Sequence, residues 1–100
     1  MAINSNRLIN FKFKIMTSEH FLLGTLKCIQ QGLFDDVHDM RVNASLVIRN
    51  VSKPPVKNKF YGVYMFLFSL SNGYYSKYNH IKSLSHKTLK DFYRQKYSRV

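Results

Sequence analysis

Two helices laid on one face of a four-stranded antiparallel sheet, an α+β arrangement, is the fold the sequence predicts, and three observations predict it. The run Lys57 to Leu70, KNKFYGVYMFLFSL, is the most apolar and aromatic stretch of the 100-residue chain and has to be covered. Ile9, Phe11, Phe13 and Ile15 alternate with Asn10, Lys12, Lys14 and Met16, the period-two pattern of a half-buried strand. Leu22, Leu26, Ile29 and Leu33 fall instead on one stripe of a 3.6-residue period.

Taken in order, residues 9–16 form the first strand. Thr17-Ser18-Glu19 supplies a hydroxyl cap and a carboxylate for the positive end of a helix running from Glu19 to Gln31, which Gly32 closes in a left-handed turn. Asp35, Asp36 and Asp39 mark an irregular approach to a second strand, in which Val42, Ala44, Leu46 and Ile48 alternate with Arg41, Asn43, Ser45 and Val47. Pro54 and Pro55 cannot continue a ladder, so residues 52–58 read as a basic loop joining this strand to the apolar one. In that third strand Phe60, Gly62, Tyr64, Phe66, Phe68 and Leu70 point one way and Tyr61, Val63, Met65 and Leu67 the other. A buried helix is the rival reading; the density of aromatics, Gly62 and the closing Asn72-Gly73 favour strand. Tyr74, Tyr78 and Ile81 have helical spacing and give a second helix, and Phe92 to Ser98 gives the last strand. With right-handed crossovers this order is a ferredoxin-like βαββαβ sandwich, one domain over residues 1–100.

Sixteen Lys and Arg against five Asp and Glu give a formal charge of +11, more than solubility requires, and point to a polyanionic partner. Most of the cations follow Asp39, where Asp91 is the single side-chain carboxylate. The longest apolar stretch falls short of the ~20 residues a spanning helix needs, and neither a secretory signal nor an Arg-rich transit segment opens the chain. Cys28, the one cysteine, sits in a helical apolar pattern and reads as packing.

The four histidines lack ligand spacing, no glycine-rich phosphate cradle occurs, and the three clustered Asp residues have no matching acid, base or nucleophile. Metal, cofactor, small-molecule substrate and catalytic residues are therefore not expected. What stands out is Lys and Arg interleaved with aromatics, the residue types that meet phosphate, 2′-hydroxyl and base faces in RNA. The candidate RNA-binding residues are Arg49, Lys53, Lys57 and Lys59 around the loop, then Lys87, Lys90, Arg94, Lys96 and Arg99, with Lys77 and Lys82 in the same basic half.

In the centre of the chain, Gly62 follows Pro55-Val56-Lys57 at seven positions from the proline and leads into Tyr64-Met65-Phe66-Leu67-Phe68. Leu26-Lys27 and Gly32-Leu33-Phe34-Asp35-Asp36-Val37 lie upstream, and Phe92-Tyr93-Arg94 with Arg99 downstream. In order and spacing these residues resemble the bacterial-type family of small-subunit ribosomal protein number six, its mitochondrial members above all. Departures are Asn10-Phe11-Lys12 at the family's opening Tyr-Glu, the missing Leu-Ala-Tyr before Pro55, and the extra proline. The resemblance implies a non-catalytic constituent of a small, mitochondrial ribosomal subunit, organelle-encoded or without a cleaved presequence. It would lie on the platform beside small-subunit ribosomal RNA and ribosomal protein number eighteen. A protein partner on the open sheet face would take Tyr61, Val63, Met65 and Leu67, or the opposite set of the same strand. A free-standing RNA-binding module of the same architecture, or a small basic accessory protein on an acidic protein surface, are the alternatives.

Overall fold

The chain is helical where a sheet was expected. The computed structural model describes residues 18–55 and 59–98, and these form α1 (Ser18–Gln30), α2 (Val37–Arg49), α3 (Tyr61–Ser71) and α4 (Tyr78–Ser98), with no strand among the described residues. This overturns the ferredoxin-like sandwich. The strand expected over residues 9–16 lies outside the described residues.

The first helix follows its sequence signals closely. Leu22, Leu26 and Ile29 are buried on one stripe, while Leu33, expected as its fourth member, lies past the helix end and is 64% exposed; Gly32 takes φ +70° just past the helix. There the Leu33 N–H donates to the Cys28 carbonyl and the Gly32 N–H to that of Ile29, both at 3.0 Å, so the left-handed residue lets the last carbonyls find donors.

Residues 41–48 were expected to be a strand and instead continue a helix that begins at Val37. Asp36 starts it: in extended backbone conformation, its Oδ1 accepts from the Asp39 N–H at 2.9 Å. Met40, Ala44 and Val47 are buried at helical intervals, while Val42 and Leu46, assigned to the inner side of a strand, are 41% and 51% exposed. The acids read as an irregular turn are thus a helix start, with Asp36 as the cap and Asp39 in the first turn, where the helix dipole favours negative charge.

The apolar run is also a helix rather than a central strand. In α3, Val63, Phe66, Leu67 and Leu70 are buried at i, i+3, i+4 and i+7. Asn72-Gly73 ends it as Gly32 ends α1: Gly73 has φ +84°, its N–H donates to the Leu70 carbonyl at 3.1 Å, and the Tyr74 N–H reaches Ser69 at 3.2 Å. An Asn-Gly pair serves a hairpin or a helix terminus equally well, because both need a residue at positive φ.

Residues 92–98, expected as the last strand, are the final turns of the 21-residue α4. Ile81, Ser85 and Phe92 are buried at i, i+4 and i+11. Asp91 links backward to Lys87 and forward to Arg94, at the i,i+4 and i,i+3 spacings of neighbours on a helix surface.

The helices pack as neighbours in a ring, α1 to α2 to α3 to α4 and back to α1, with α1 also reaching α3 across the middle. Helices α1 and α4 run in opposite directions. Lys27, Gln30 and Phe34 meet Tyr93, His86 and Tyr78 in turn, the last through a 2.8 Å hydrogen bond from the Tyr78 hydroxyl to the Phe34 carbonyl. Phe60 packs on Phe92 with ring centroids 4.8 Å apart, joining the start of α3 to the second half of α4. Arg41 of α2 donates from Nη2 to the Tyr75 carbonyl at 2.9 Å and holds the α3–α4 connection.

Leu67→Ala is expected to lower stability by about 2–5 kcal/mol, since it empties a fully buried position in the core to which all four helices contribute. Leu46→Gln, on the outward side of α2, is expected to change it by no more than about 0.5 kcal/mol. In the expected sandwich Leu67 would lie on the open sheet face, where shortening it costs little, so thermal unfolding of the two variants distinguishes the folds; equal losses would contradict the helical packing.

Candidate nucleic-acid interface

Burial of Ile81, Ser85 and Phe92 fixes the rotation of α4, and the opposite side of the same helix is where its cations emerge. Ser83, Lys87, Lys90 and Arg94 follow one another at i, i+4, i+7 and i+11 and are all exposed. A helix rises 1.5 Å per residue, so Lys87 and Arg94 stand about 10 Å apart along the axis. His86 borders the stripe, with its Nδ1 3.3 Å from Gln30 Nε2 of α1. An amide nitrogen can only donate, so Nδ1 accepts and the proton of the neutral ring sits on Nε2.

One acid interrupts the row. Lys87 Nζ lies 3.2 Å from Asp91 Oδ2, and Arg94 Nη2 donates to Oδ1 of the same carboxylate. The Arg94 hydrogen bond, followed by that of Lys87, holds the Asp91 carboxyl below its ordinary 3.8. The pairing leaves the Lys87 and Arg94 side chains 73% and 70% exposed, so both still present charge to solvent. In water such pairs are weak and are readily exchanged for a phosphate.

The other expected RNA contacts are distributed differently. Arg49 ends α2 and Lys53 lies in the following loop, both exposed. Lys59 is half-buried, with Nζ 5.6 Å from the Phe60 ring centroid and 5.3 Å from that of Phe92, so its charge is used in the α3–α4 joint. Lys82 folds back on the end of α1: its Nζ would stand only 3.1 Å from a Cβ placed on Gly32, close to the negative end of that helix dipole. Lys57 and Arg99 lie outside the described residues, as does the side chain of Lys96.

The four residues expected to share a protein interface do not share a face. Val63 and Leu67 are fully buried, Tyr61 is 45% exposed and Met65 is half-buried, because successive helical residues turn by about 100° and a period-two set is scattered around the axis. Tyr61, Met65 and Phe68 make up the outward side of α3, with Tyr64 at its margin and stacked on Phe68 at 6.0 Å. Helix α3 carries no charged residue.

Tyr93 was among the aromatics interleaved with the cations, whereas Lys27 was not marked by the sequence. Tyr93 is 37% exposed and Lys27, from α1, sits 5.9 Å from its ring centroid. The pair becomes visible only once α1 and α4 are seen to run side by side.

Among the described residues no group of three or more His, Cys, Asp or Glu is placed to hold a metal ion, and no helix is long and apolar enough to cross a membrane. Fold and surface together define a basic chain that is all-helical over its described residues, with a cationic stripe along the longest of the four helices. No protein-family model, curated protein or solved structure matches the chain.

The Asp91 carboxyl should titrate below 3.8, and its partners supply the cause. Since the folded-state value is depressed, its contribution to stability is present above the unfolded-state value and is lost as pH falls through the lower folded one. The combined replacement of Lys87 and Arg94 by Met is expected to return the midpoint upward, which carboxyl NMR titration would read. An unmoved midpoint would place the cause elsewhere.

Proposed function

We propose that this protein is a non-enzymatic RNA-binding component of a ribonucleoprotein particle, and that α4 provides its principal contact. The observation that carries this reading is the exposed Lys87, Lys90 and Arg94 row on a chain with a formal charge of +11. Three cations at that spacing along a rigid helix present fixed positive charge to a phosphate backbone, and no ordering of a loop is needed before they bind. Arg49 at the end of α2 and Lys53 in the following loop are exposed too and add to the positive charge. A place in a particle, rather than free RNA binding alone, is supported by the outward side of α3. Its exposed Tyr61 and Phe68 carry no charge that RNA would recognise and suit a protein neighbour.

The small ribosomal subunit is the particle that the family resemblance implied. That likeness rested on a particular order of strands and helices, which is not the order found. The proposal therefore stands on charge and geometry, without the ribosomal, mitochondrial and protein-eighteen expectations that came with it.

Affinity for structured or unstructured RNA should fall steeply with salt. Each phosphate contact contributes about −0.7 to −0.9 to the slope of log affinity against log salt. Replacing Lys87, Lys90 and Arg94 together by Gln should flatten that slope by about 2 and weaken binding at least tenfold, with helix content unchanged by circular dichroism. Asp91→Asn should act in the opposite direction, because it releases Lys87 and Arg94. An affinity constant between ~50 and ~200 mM salt would remove RNA as the partner.

A further inference from the structure

We infer that the RNA held on α4 is single-stranded, and that an unpaired base is seated against Tyr93 in the groove beside the cationic stripe. This rests on the RNA-binding reading and adds the class of RNA. Ser83, His86, Lys87, Leu89, Lys90 and Tyr93 line a shallow groove along α4. Its floor is apolar, from half-buried Leu89 and the ring of Tyr93, and its walls are cationic or hydrogen-bonding.

A duplex gains from the walls and nothing from the floor, because its base faces are already stacked inside it. An unpaired base has an aromatic face to cover and a phosphate on either side, so it matches both. Tyr93 is held for this task before any ligand arrives. Its ring meets Phe92 edge-on at 5.2 Å, with 73° between the planes, and Lys27 stands 5.9 Å from its centroid. A ring already fixed loses little rotamer freedom when a base stacks on it. On the groove wall His86 is held by Gln30 through Nδ1, which leaves Nε2–H as a donor to a phosphate or a base edge.

The experiment compares fluorescence anisotropy of the full chain with a labelled twelve-nucleotide single strand and with a blunt RNA duplex of the same length, across a salt series. The single strand is expected to bind about tenfold or more tightly, the scale of one base–aromatic stacking contact. Tyr93→Leu should remove about that factor for the single strand while leaving the salt slope unchanged, and Tyr93→Phe should restore it. A 2-aminopurine placed in the strand should be quenched by the wild-type protein and not by Tyr93→Leu. Duplex binding as tight as single-strand binding, or affinity and quenching indifferent to Tyr93→Leu, would overturn the base seat and leave the RNA reading standing. Binding of neither RNA would remove both.

Discussion

The covering of α3 is the constraint on which the other three helices depend. Tyr61–Ser71 contains no charged side chain, and Val63, Phe66, Leu67 and Leu70 form a buried stripe along it. Each such side chain gains roughly 1.5–3 kcal/mol when removed from water, which one neighbouring helix could not collect from all of them. Helix α2 lies against α3 most extensively, α4 covers the side around Phe60 and Val63, and α1 closes the middle with Leu22, Leu26 and Ile29. At the joint, Lys59 lies against Phe60 and Phe92. A cation placed on two rings keeps its aliphatic stem on the core and its head at the edge of water.

The exposed cationic stripe is a consequence of that packing. Because α3 and α1 take the side of α4 that bears Ile81, Ser85 and Phe92, the side that bears Lys87, Lys90 and Arg94 has nowhere to face but solvent. Internal hydrogen bonds make the polar members of the packed side acceptable. Ser85, fully buried, donates to the Lys82 carbonyl at 2.6 Å, and Thr88 to that of Leu84 at 2.7 Å. The Tyr93–Lys27 and His86–Gln30 contacts then mark where the edge of the packed interface passes into the exposed stripe.

How much of this was legible in the sequence differs from helix to helix, for a common reason. Helix α1 has a long stripe and an unambiguous stop at Gly32, so both signals agreed with one period. In α2 the apolar residues are dense enough to fit two. Ala44 belongs to the alternating set with Val42 and Leu46 and equally to the helical set with Met40 and Val47, and only burial decides between them. Almost every position of α3 is apolar, so no period is readable there at all, and Asn72-Gly73 is compatible with either ending. The family likeness inherited these strand assignments and could not correct them. Among the candidate residues, the exposure of Lys87, Lys90 and Arg94 was legible because a local run of cations stays at the surface in either fold. Lys59 and Lys82 were assigned to the same basic half of the chain, yet their use is decided by distant rings and by the end of another helix, which local composition does not encode.

The same row of cations sets a cost that bears on how the fold and the ligand are coupled. On α4, Lys87 and Lys90 are three apart and Lys90 and Arg94 four apart, spacings at which like charges oppose helix formation by about 0.2–0.5 kcal/mol per pair. Asp91 lies between them and offsets part of this through its contacts with Lys87 and Arg94, but Lys90 gains no comparable ion pair from it. A phosphate backbone laid along the stripe would relieve the repulsion in the residues it contacts. Binding of such a polyanion would therefore add to helix stability in the same segment, since a ligand that prefers the folded chain stabilises it by mass action. The half of α4 that carries the charge is also the half clamped by Phe92 against Phe60, so aromatic packing holds in place a helix that its own surface charge works against.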